Sequence, residues 1–93
     1  TLFIQISPSQ VRSLRGLLGR GKFPEIRRSA HQMKSSAANV GALKLARLCA
    51  ELEEATERNG DFDEAAIVRL IACIEDESTR VCVALSQETS KAA

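Results

Sequence analysis

Apolar residues recur at steps of three and four along most of the chain, and this period predicts amphipathic helices. The clearest apolar seam consists of Phe23, Ile26, Ala30, Met33, Ala37 and Val40. The corresponding seams of three further stretches are Val11, Leu14, Leu17 and Leu18; Leu45, Leu48, Cys49, Leu52 and Ala55; and Ile67, Leu70, Ile71, Ile74, Val81 and Leu85. The pattern therefore predicts four helices, each with one buried side.

Turn residues divide these stretches. Ser7-Pro8 indicates a helix start, with serine as the cap and proline at the first helical position. Asn59-Gly60 indicates a C-terminal stop, and the four residues from Asp61 to Glu64 resemble a capping box. The other two breaks are Gly19-Arg20-Gly21 and Val40-Gly41-Ala42. The predicted helices lie at about 8–19, 23–39, 42–59 and 62–88, residues 1–6 cap one end, and the tail frays.

Length and composition narrow the fold class. A chain of 93 residues has room for a single domain, 1–93, with one packed core. The near absence of aromatic residues, three Phe with no Tyr or Trp, argues against a β-sandwich and against base stacking on single-stranded nucleic acid. Short connections favour antiparallel neighbours. We therefore predict an all-α, up-and-down antiparallel four-helix bundle with a short N-terminal segment.

Charge, cysteines and the single histidine exclude several kinds of site. A net charge of +1 is too small for a general polyanion binder, so no nucleic-acid partner is expected. No apolar run reaches the roughly 20 residues of a membrane span, so no direct membrane contact is expected. Cys49, Cys73 and Cys82 have helical spacing, which predicts inert core thiols in a reducing compartment and no metal site. No glycine-rich ATP-binding loop is present.

His31, the only histidine, lies outside the apolar seam of its helix. On a wheel of about 100° per residue it is roughly 130° from the centre of that seam. The residues that share its face are Arg27, Arg28, Lys34, Ser35 and Ala38. The cations would face a negatively charged phosphoryl group on the ring, and the small side chains would admit a protein partner. A solvated surface histidine without a function fits the same wheel, so this pattern alone leaves the role open.

The stretch from Ala30 to Glu53, AHQMKSSAANVGALKLARLCAELE, resembles the signature of histidine-containing phosphotransfer domains. In that family an apolar residue lies two positions after the histidine, a lysine three positions after it and a small residue four positions after it. Here these are Met33, Lys34 and Ser35. A glycine and a small residue then open the next helix, which carries the pattern Leu-x-x-Leu-Cys-x-x-Leu-Glu. Ser35 departs from the family, since that position is most often glycine.

The resemblance implies a phosphocarrier of two-component phosphorelays with no enzymatic activity and no ATP site of its own. His31 would accept a phosphoryl group from the aspartyl phosphate of a receiver domain and pass it to another receiver. The distal ring nitrogen would be the nucleophile, Glu53 would accept a hydrogen bond from the other nitrogen, and Lys34 would stabilise the transferring group. The residues expected to bind the partner are Arg27, Arg28, Gln32, Ser35 and Ala38. The chain needs no cofactor, because Mg²⁺ is expected on the receiver.

The setting in which members of this family usually occur, together with the missing start methionine, predicts that the chain is the C-terminal module of a bacterial hybrid sensor kinase. The module is expected to lie in the cytoplasm. Two other interpretations stay open at this point. The chain fits a non-catalytic helical interaction module that recruits a partner through the His31 face. A hydrolase that uses His31 is disfavoured, because a bundle of this size offers little cleft.

Overall fold

The structure is a computed structural model that describes the backbone of residues 2–57 and 63–92, and the side chains of residues 8–57 and 63–87. The described residues form four helices and no strand. The helices are α1 (Leu2–Gly19), α2 (Phe23–Asn39), α3 (Leu43–Ala55) and α4 (Glu64–Ala92). The predicted all-α class with four helices is confirmed.

The connections from α1 to α2 and from α2 to α3 have the same geometry. At the end of α2, the amides of Gly41 and Ala42 donate to the carbonyls of Ala38 and Ala37 at 3.0 and 2.8 Å. This pair of bonds is a Schellman motif, which requires a left-handed backbone that glycine adopts without strain. Gly41 has a φ of +78°, and Gly21 has a φ of +66° in the matching motif after α1. Each of these reversals therefore depends on a glycine.

The helices pack as a ring around one core. Among the described residues, α1 packs against α2 and α4, α3 packs against the same two helices, and the diagonal pairs do not pack directly. Because a three-residue turn brings the next helix back alongside, α2 runs antiparallel to both α1 and α3. The core residues are Val11, Leu14, Ile26, Ala30, Met33, Ala37, Leu45, Cys49, Leu52, Ile67, Ile71 and Ile74. The bundle is elongated, at 49 × 20 × 18 Å.

The start of α1 differs from the prediction. The helix begins at Leu2, so the expected start at Ser7-Pro8 is wrong, and Pro8 lies inside the helix. The fixed φ of proline matches helical backbone, and the cost of an internal proline is one lost hydrogen bond and crowding of the carbonyl four residues earlier. Residues 2–6 therefore continue the helix instead of forming a separate segment that caps the bundle.

The end of α3 comes earlier than predicted, at Ala55 instead of about residue 59. The hydroxyl of the buried Thr56 donates to the carbonyls of Leu52 and Glu53 at 2.9 and 3.1 Å. The Leu52 carbonyl also accepts the amide of Thr56, at 3.1 Å, and the hydroxyl supplies a donor to the Glu53 carbonyl at the helix end. Thr56 thus stabilises the end of the helix at this position.

The start of α4 uses a different cap from the predicted one. The carboxylate of Asp63 accepts a hydrogen bond from the amide of Ala66 at 3.2 Å, the usual N-cap contact. The predicted stop at Asn59-Gly60 and the Asp61 end of the predicted capping box lie outside the described residues. At its other end α4 reaches Ala92, beyond the expected fraying point near residue 88.

The cysteines do not all lie in the core. Cys49 is buried and Cys82 is half-buried, but Cys73 is exposed, so the prediction of a core thiol is wrong there. The buried side of α4 follows Ile71 and Ile74, and Cys73, one residue before Ile74, is turned about 100° away from it. Burial raises the pKa of the Cys49 thiol to about 12, which keeps this thiol protonated and unreactive near neutral pH.

Across the described residues, we find no helix whose length and apolar character together would let it cross a membrane.

The left-handed turn predicts a specific stability difference. Gly41→Ala should lower the free energy of unfolding by about 1–2 kcal/mol, the cost of a left-handed conformation for a residue with a Cβ. An added Cβ meets no atom within 4 Å at Gly41 or at Gly19, so crowding contributes to neither substitution. Gly19→Ala, at a helical position, is the matched control and should be neutral or slightly stabilising. Equal losses for the two variants in urea unfolding would contradict this account of the turn.

Candidate functional site

His31 stands on the outer side of α2, midway along the helix. The preceding residue, Ala30, is fully buried, and Met33 is 2% exposed. Because successive helical residues are rotated by about 100°, burial of these neighbours turns His31 toward solvent. Its side chain is 62% exposed. A second protein therefore has direct access to the imidazole ring.

Glu53 of α3 lies beside this ring. Its Oε2 is 2.8 Å from Nδ1 of His31, across 22 positions of sequence. Leu52 is fully buried, and the next residue, Glu53, lies at the edge of α3 that faces α2 with 24% of its side chain exposed. An ionised carboxylate only accepts hydrogen bonds, so Nδ1 carries the proton. In the neutral ring the lone pair is then on Nε2.

Lys34 completes the group from the next turn of α2. Its Nζ donates to Oε1 of Glu53 at 2.7 Å, so each carboxylate oxygen has its own donor. Residues three apart on a helix are surface neighbours, which explains why His31 and Lys34 both reach one carboxylate. Glu53 therefore connects the exposed ring to a fixed positive charge.

The two donors change the acidity of Glu53. The pKa of its carboxyl is lowered, chiefly by the hydrogen bond from Lys34; burial opposes this effect, and the hydrogen bond from His31 adds to the lowering. Hydrogen bonds to the charged form and nearby cations both favour a carboxylate. Glu53 thus stays ionised at pH values where an isolated glutamate begins to take up a proton.

The five residues expected to bind a partner surround this group on the solvent side. All five side chains are exposed, and they are Arg27, Arg28, Gln32, Ser35 and Ala38. The guanidinium of Arg28 lies 3.5 Å from the carboxylate of Glu25 on the same helix. Their role in binding stays a prediction, as do the roles of His31, Lys34 and Glu53 in phosphotransfer.

Sequence reasoning did not anticipate the ion pair between Lys34 and Glu53. It assigned the lysine to the phosphoryl group and the glutamate to the histidine, each separately. A usable signal was present, since Lys34 was expected to share the face of His31 on one helix and Glu53 to meet His31 from the next, antiparallel helix. The two donors, on one side of α2, then meet at the Glu53 carboxylate of α3.

Two surface grooves lie along α4, away from His31. One lies against α3 and is lined by residues that include Leu48, Ala55 and Leu70. The other lies against α1 and includes Val11 and Val83. His31 lines neither of these two grooves. The described residues contain no group of three or more His, Cys, Asp or Glu side chains arranged to hold a metal ion.

The fold is a four-helix arrangement that carries an exposed histidine hydrogen-bonded to a carboxylate. The sequence model of one family, the Hpt domain, matches residues 1–84, and the chain belongs to this family. Hpt domains carry phosphoryl groups on histidine in phosphorelays, act as phosphocarriers instead of enzymes, and generally interact with receiver domains. Comparisons with curated proteins and with solved structures found no match.

The lowered pKa of Glu53 predicts how the site responds to acid. Its folded-state pKa lies below the unfolded value of about 4.3, so the contact stabilises the fold above that pH and is lost as pH falls through the folded value. Carbon-13 NMR of the Glu53 carboxyl should therefore show a midpoint below about 4.3. Lys34→Met should raise that midpoint, because it removes the main donor. Arg28→Met, a cation without a contact to Glu53, is the control, and equal midpoints for the two variants would contradict the assignment.

Proposed function

We propose that His31 is the phosphoryl-accepting residue of this Hpt domain. In this proposal Nε2 takes the phosphoryl group from the aspartyl phosphate of one receiver domain and later gives it to the aspartate of another. The observation that carries the proposal is the 2.8 Å contact between Nδ1 and Glu53. It supports a proton on Nδ1 and a lone pair on Nε2, on a ring that a partner can reach.

The transfer step balances without an added base. The lone pair of Nε2 forms the bond to phosphorus while the bond from phosphorus to the aspartyl oxygen breaks, and the leaving carboxylate keeps that electron pair. The proton on Nδ1 stays in place, so the phosphorylated ring carries a positive charge. Glu53, which accepts the Nδ1 hydrogen bond, offsets that charge. The reverse step, to a second receiver, uses the same atoms in the opposite order.

Lys34 acts in this proposal as a source of positive charge beside the transferring group. Its ammonium has three N–H donors, and Glu53 takes one of them at 2.7 Å. The remaining donors are available to the equatorial oxygens of the phosphoryl group, where charge accumulates in a loose, in-line transition state. The Mg²⁺ ion of this chemistry is proposed to belong to the receiver. The hydroxyl of Ser35 adds a further donor on the exposed side of the ring.

We also propose the setting in which the domain works. Family membership supports a parent chain that is a bacterial hybrid sensor kinase, with receiver domains of that kinase or of a response regulator as partners. In that setting the domain lies in the cytoplasm and contacts neither nucleic acid nor membrane. Identifying a receiver and a kinase core in the same parent chain would test this part of the proposal.

The first test is covalent labelling of the whole chain. Incubation with phosphoramidate, or with a receiver phosphorylated by acetyl phosphate, should give a label that is stable to base and labile to acid. His31→Gln should abolish the label and leave the helical circular dichroism unchanged, because the side chain is exposed and outside the core. Gln32→Ala, at the adjacent exposed position, is the control and should still be labelled by phosphoramidate. A label that persists in His31→Gln would refute the site.

The second test concerns Glu53. Glu53→Ala should release Nδ1, shift the tautomer of His31 in nitrogen-15 NMR, and slow phosphorylation by phosphoramidate about tenfold. A tenfold change corresponds to ~1.4 kcal/mol, close to the worth of one hydrogen bond to a charged group. Glu51→Ala, an exposed glutamate on the same helix, should leave both quantities unchanged. An unchanged tautomer in Glu53→Ala would remove the physical basis for attack by Nε2.

A further inference from the structure

The groove between α3 and α4 has an apolar lining about two helical turns long. The residues of this lining are Leu48 and Ala55 of α3 and Ala66, Leu70 and Cys73 of α4. On each helix they span seven residues, which corresponds to about 10.5 Å along the axis. The groove has a volume of about 620 Å³, and none of the described residues that line it belongs to α2. It therefore lies on a different side of the bundle from the His31 ring.

Carboxylates border this groove. Glu51 and Glu54 of α3 and Asp63 at the start of α4 line it, together with one cation, Arg69. The side chains of all four are exposed. We name these four charged residues and the five residues of the apolar lining the α3–α4 groove. Its border is acidic although the whole chain has a net charge of +1, so its attraction for a cation is local.

The carboxylates at this end of the bundle differ from the others in having no ion-pair partner. Elsewhere a lysine, arginine or histidine lies within 4 Å of each described carboxylate, and these are Glu25, Glu53, Glu75, Asp76 and Glu77. The carboxylates without an ion pair to any described residue are Glu51, Glu54, Glu57, Asp63 and Glu64. All of these lie between the last two turns of α3 and the first turn of α4. Unpaired acidic charge is thus concentrated around the α3–α4 groove.

The end of α3 is an unfavourable place for this charge. The last carbonyl groups of a helix give its C-terminal end a partial negative charge, which favours basic side chains there and disfavours acidic ones. The last turn of α3 contains no basic residue, and Glu54 lies in it. Glu51 and Glu54 therefore do not stabilise the helix that carries them. A cation supplied from outside the bundle would offset both the carboxylates and the helix end.

We propose that the α3–α4 groove is the docking site of a basic amphipathic helix of a partner protein. Such a helix places apolar residues at positions i, i+4 and i+7 into an apolar groove, and these positions span the same length of about 10.5 Å. Lysine or arginine side chains on one flank of the helix meet Glu51 and Glu54, and a carboxylate on the other flank meets Arg69. The bound helix leaves the ring of His31 uncovered, so this docking is separate from phosphotransfer.

The test uses three synthetic peptides of about 15 residues, a length at which an isolated helix begins to be stable in water. The first contains leucine at the spacing i, i+4 and i+7 and lysine on the other positions. The second has glutamate in place of every lysine. The third has the composition of the first in a scrambled order that leaves no apolar face. Only the first peptide combines the apolar face and the positive charge that the α3–α4 groove fits.

The cysteines of the chain report where a peptide binds. Cys73 lines the α3–α4 groove, Cys82 lines the groove between α1 and α4, and Cys49 is buried. The rate of alkylation by iodoacetamide is measured at each cysteine by mass spectrometry. With the first peptide at about ten times its dissociation constant, Cys73 should react about tenfold more slowly, because only unoccupied chains react. The rate at Cys82 should stay the same, and the other two peptides should protect neither thiol.

Charge reversal at the border of the groove tests the role of the carboxylates. Glu54→Lys should raise the dissociation constant of the first peptide about tenfold, because it replaces an attraction by a repulsion. Its melting temperature should not fall, since a lysine suits the C-terminal end of a helix. Glu25→Lys changes the net charge by the same amount on α2, away from the groove, and is the matched control. It should leave the dissociation constant unchanged.

Several outcomes would overturn the docking proposal. These are equal protection of Cys73 and Cys82, equal protection by the scrambled peptide, or no protection at peptide concentrations up to about 1 mM. A change in the NMR signals of the His31 ring on peptide binding would place the helix on the other side of the bundle. A concentration-dependent dimer of the wild-type chain that Glu54→Lys abolishes would assign the groove to a second copy of this chain. None of these results would bear on His31 as the phosphoryl acceptor.

Discussion

The alignment of α3 against α2 is the constraint on which the site depends. His31 and Glu53 are 22 positions apart, and they meet because the chain reverses at Gly41 and α3 returns alongside α2. A slip of one residue would rotate each side chain by about 100° and move it by about 1.5 Å along the axis, which is enough to break a 2.8 Å contact. The core residues Cys49 and Leu52 prevent that slip, because both are fully buried.

The fold places the imidazole of His31 at the surface and the thiol of Cys49 inside. The buried thiol of Cys49 has its pKa raised to about 12, whereas the imidazole of His31 is 62% exposed. An exposed ring is free to take many rotamers, and a single hydrogen bond from Nδ1 to Glu53 restricts this freedom. Lys34 in turn restrains Glu53 through the second carboxylate oxygen. The site therefore combines an accessible ring with a restrained ring orientation.

The predictions from the sequence agree best with the structure where they depend on residues close together in the chain. The seams of α2 and α3 follow from the helical period, and the reversals follow from glycine, whose backbone tolerates a positive φ. The wrong predictions concern features that depend on packing between helices or that fit two local structures equally well. Pro8 is compatible with either a helix start or a helix interior, and the sequence alone does not choose between them. Cys73 has a spacing close to that of the buried residues of α4, yet it lies one position off the side that meets the core.

The sequence by itself determined the helical class, the exposed position of His31 and the family resemblance, because each depends on residue types at fixed spacings along one or two helices. The tertiary structure decided that Glu53 accepts hydrogen bonds from both His31 and Lys34, since those contacts exist only between helices held in register. It also decided that Cys73 of α4 lies at the surface instead of in the core. Periodicity assigns a side chain to one face of its own helix, whereas packing decides which face of the neighbouring helix it meets.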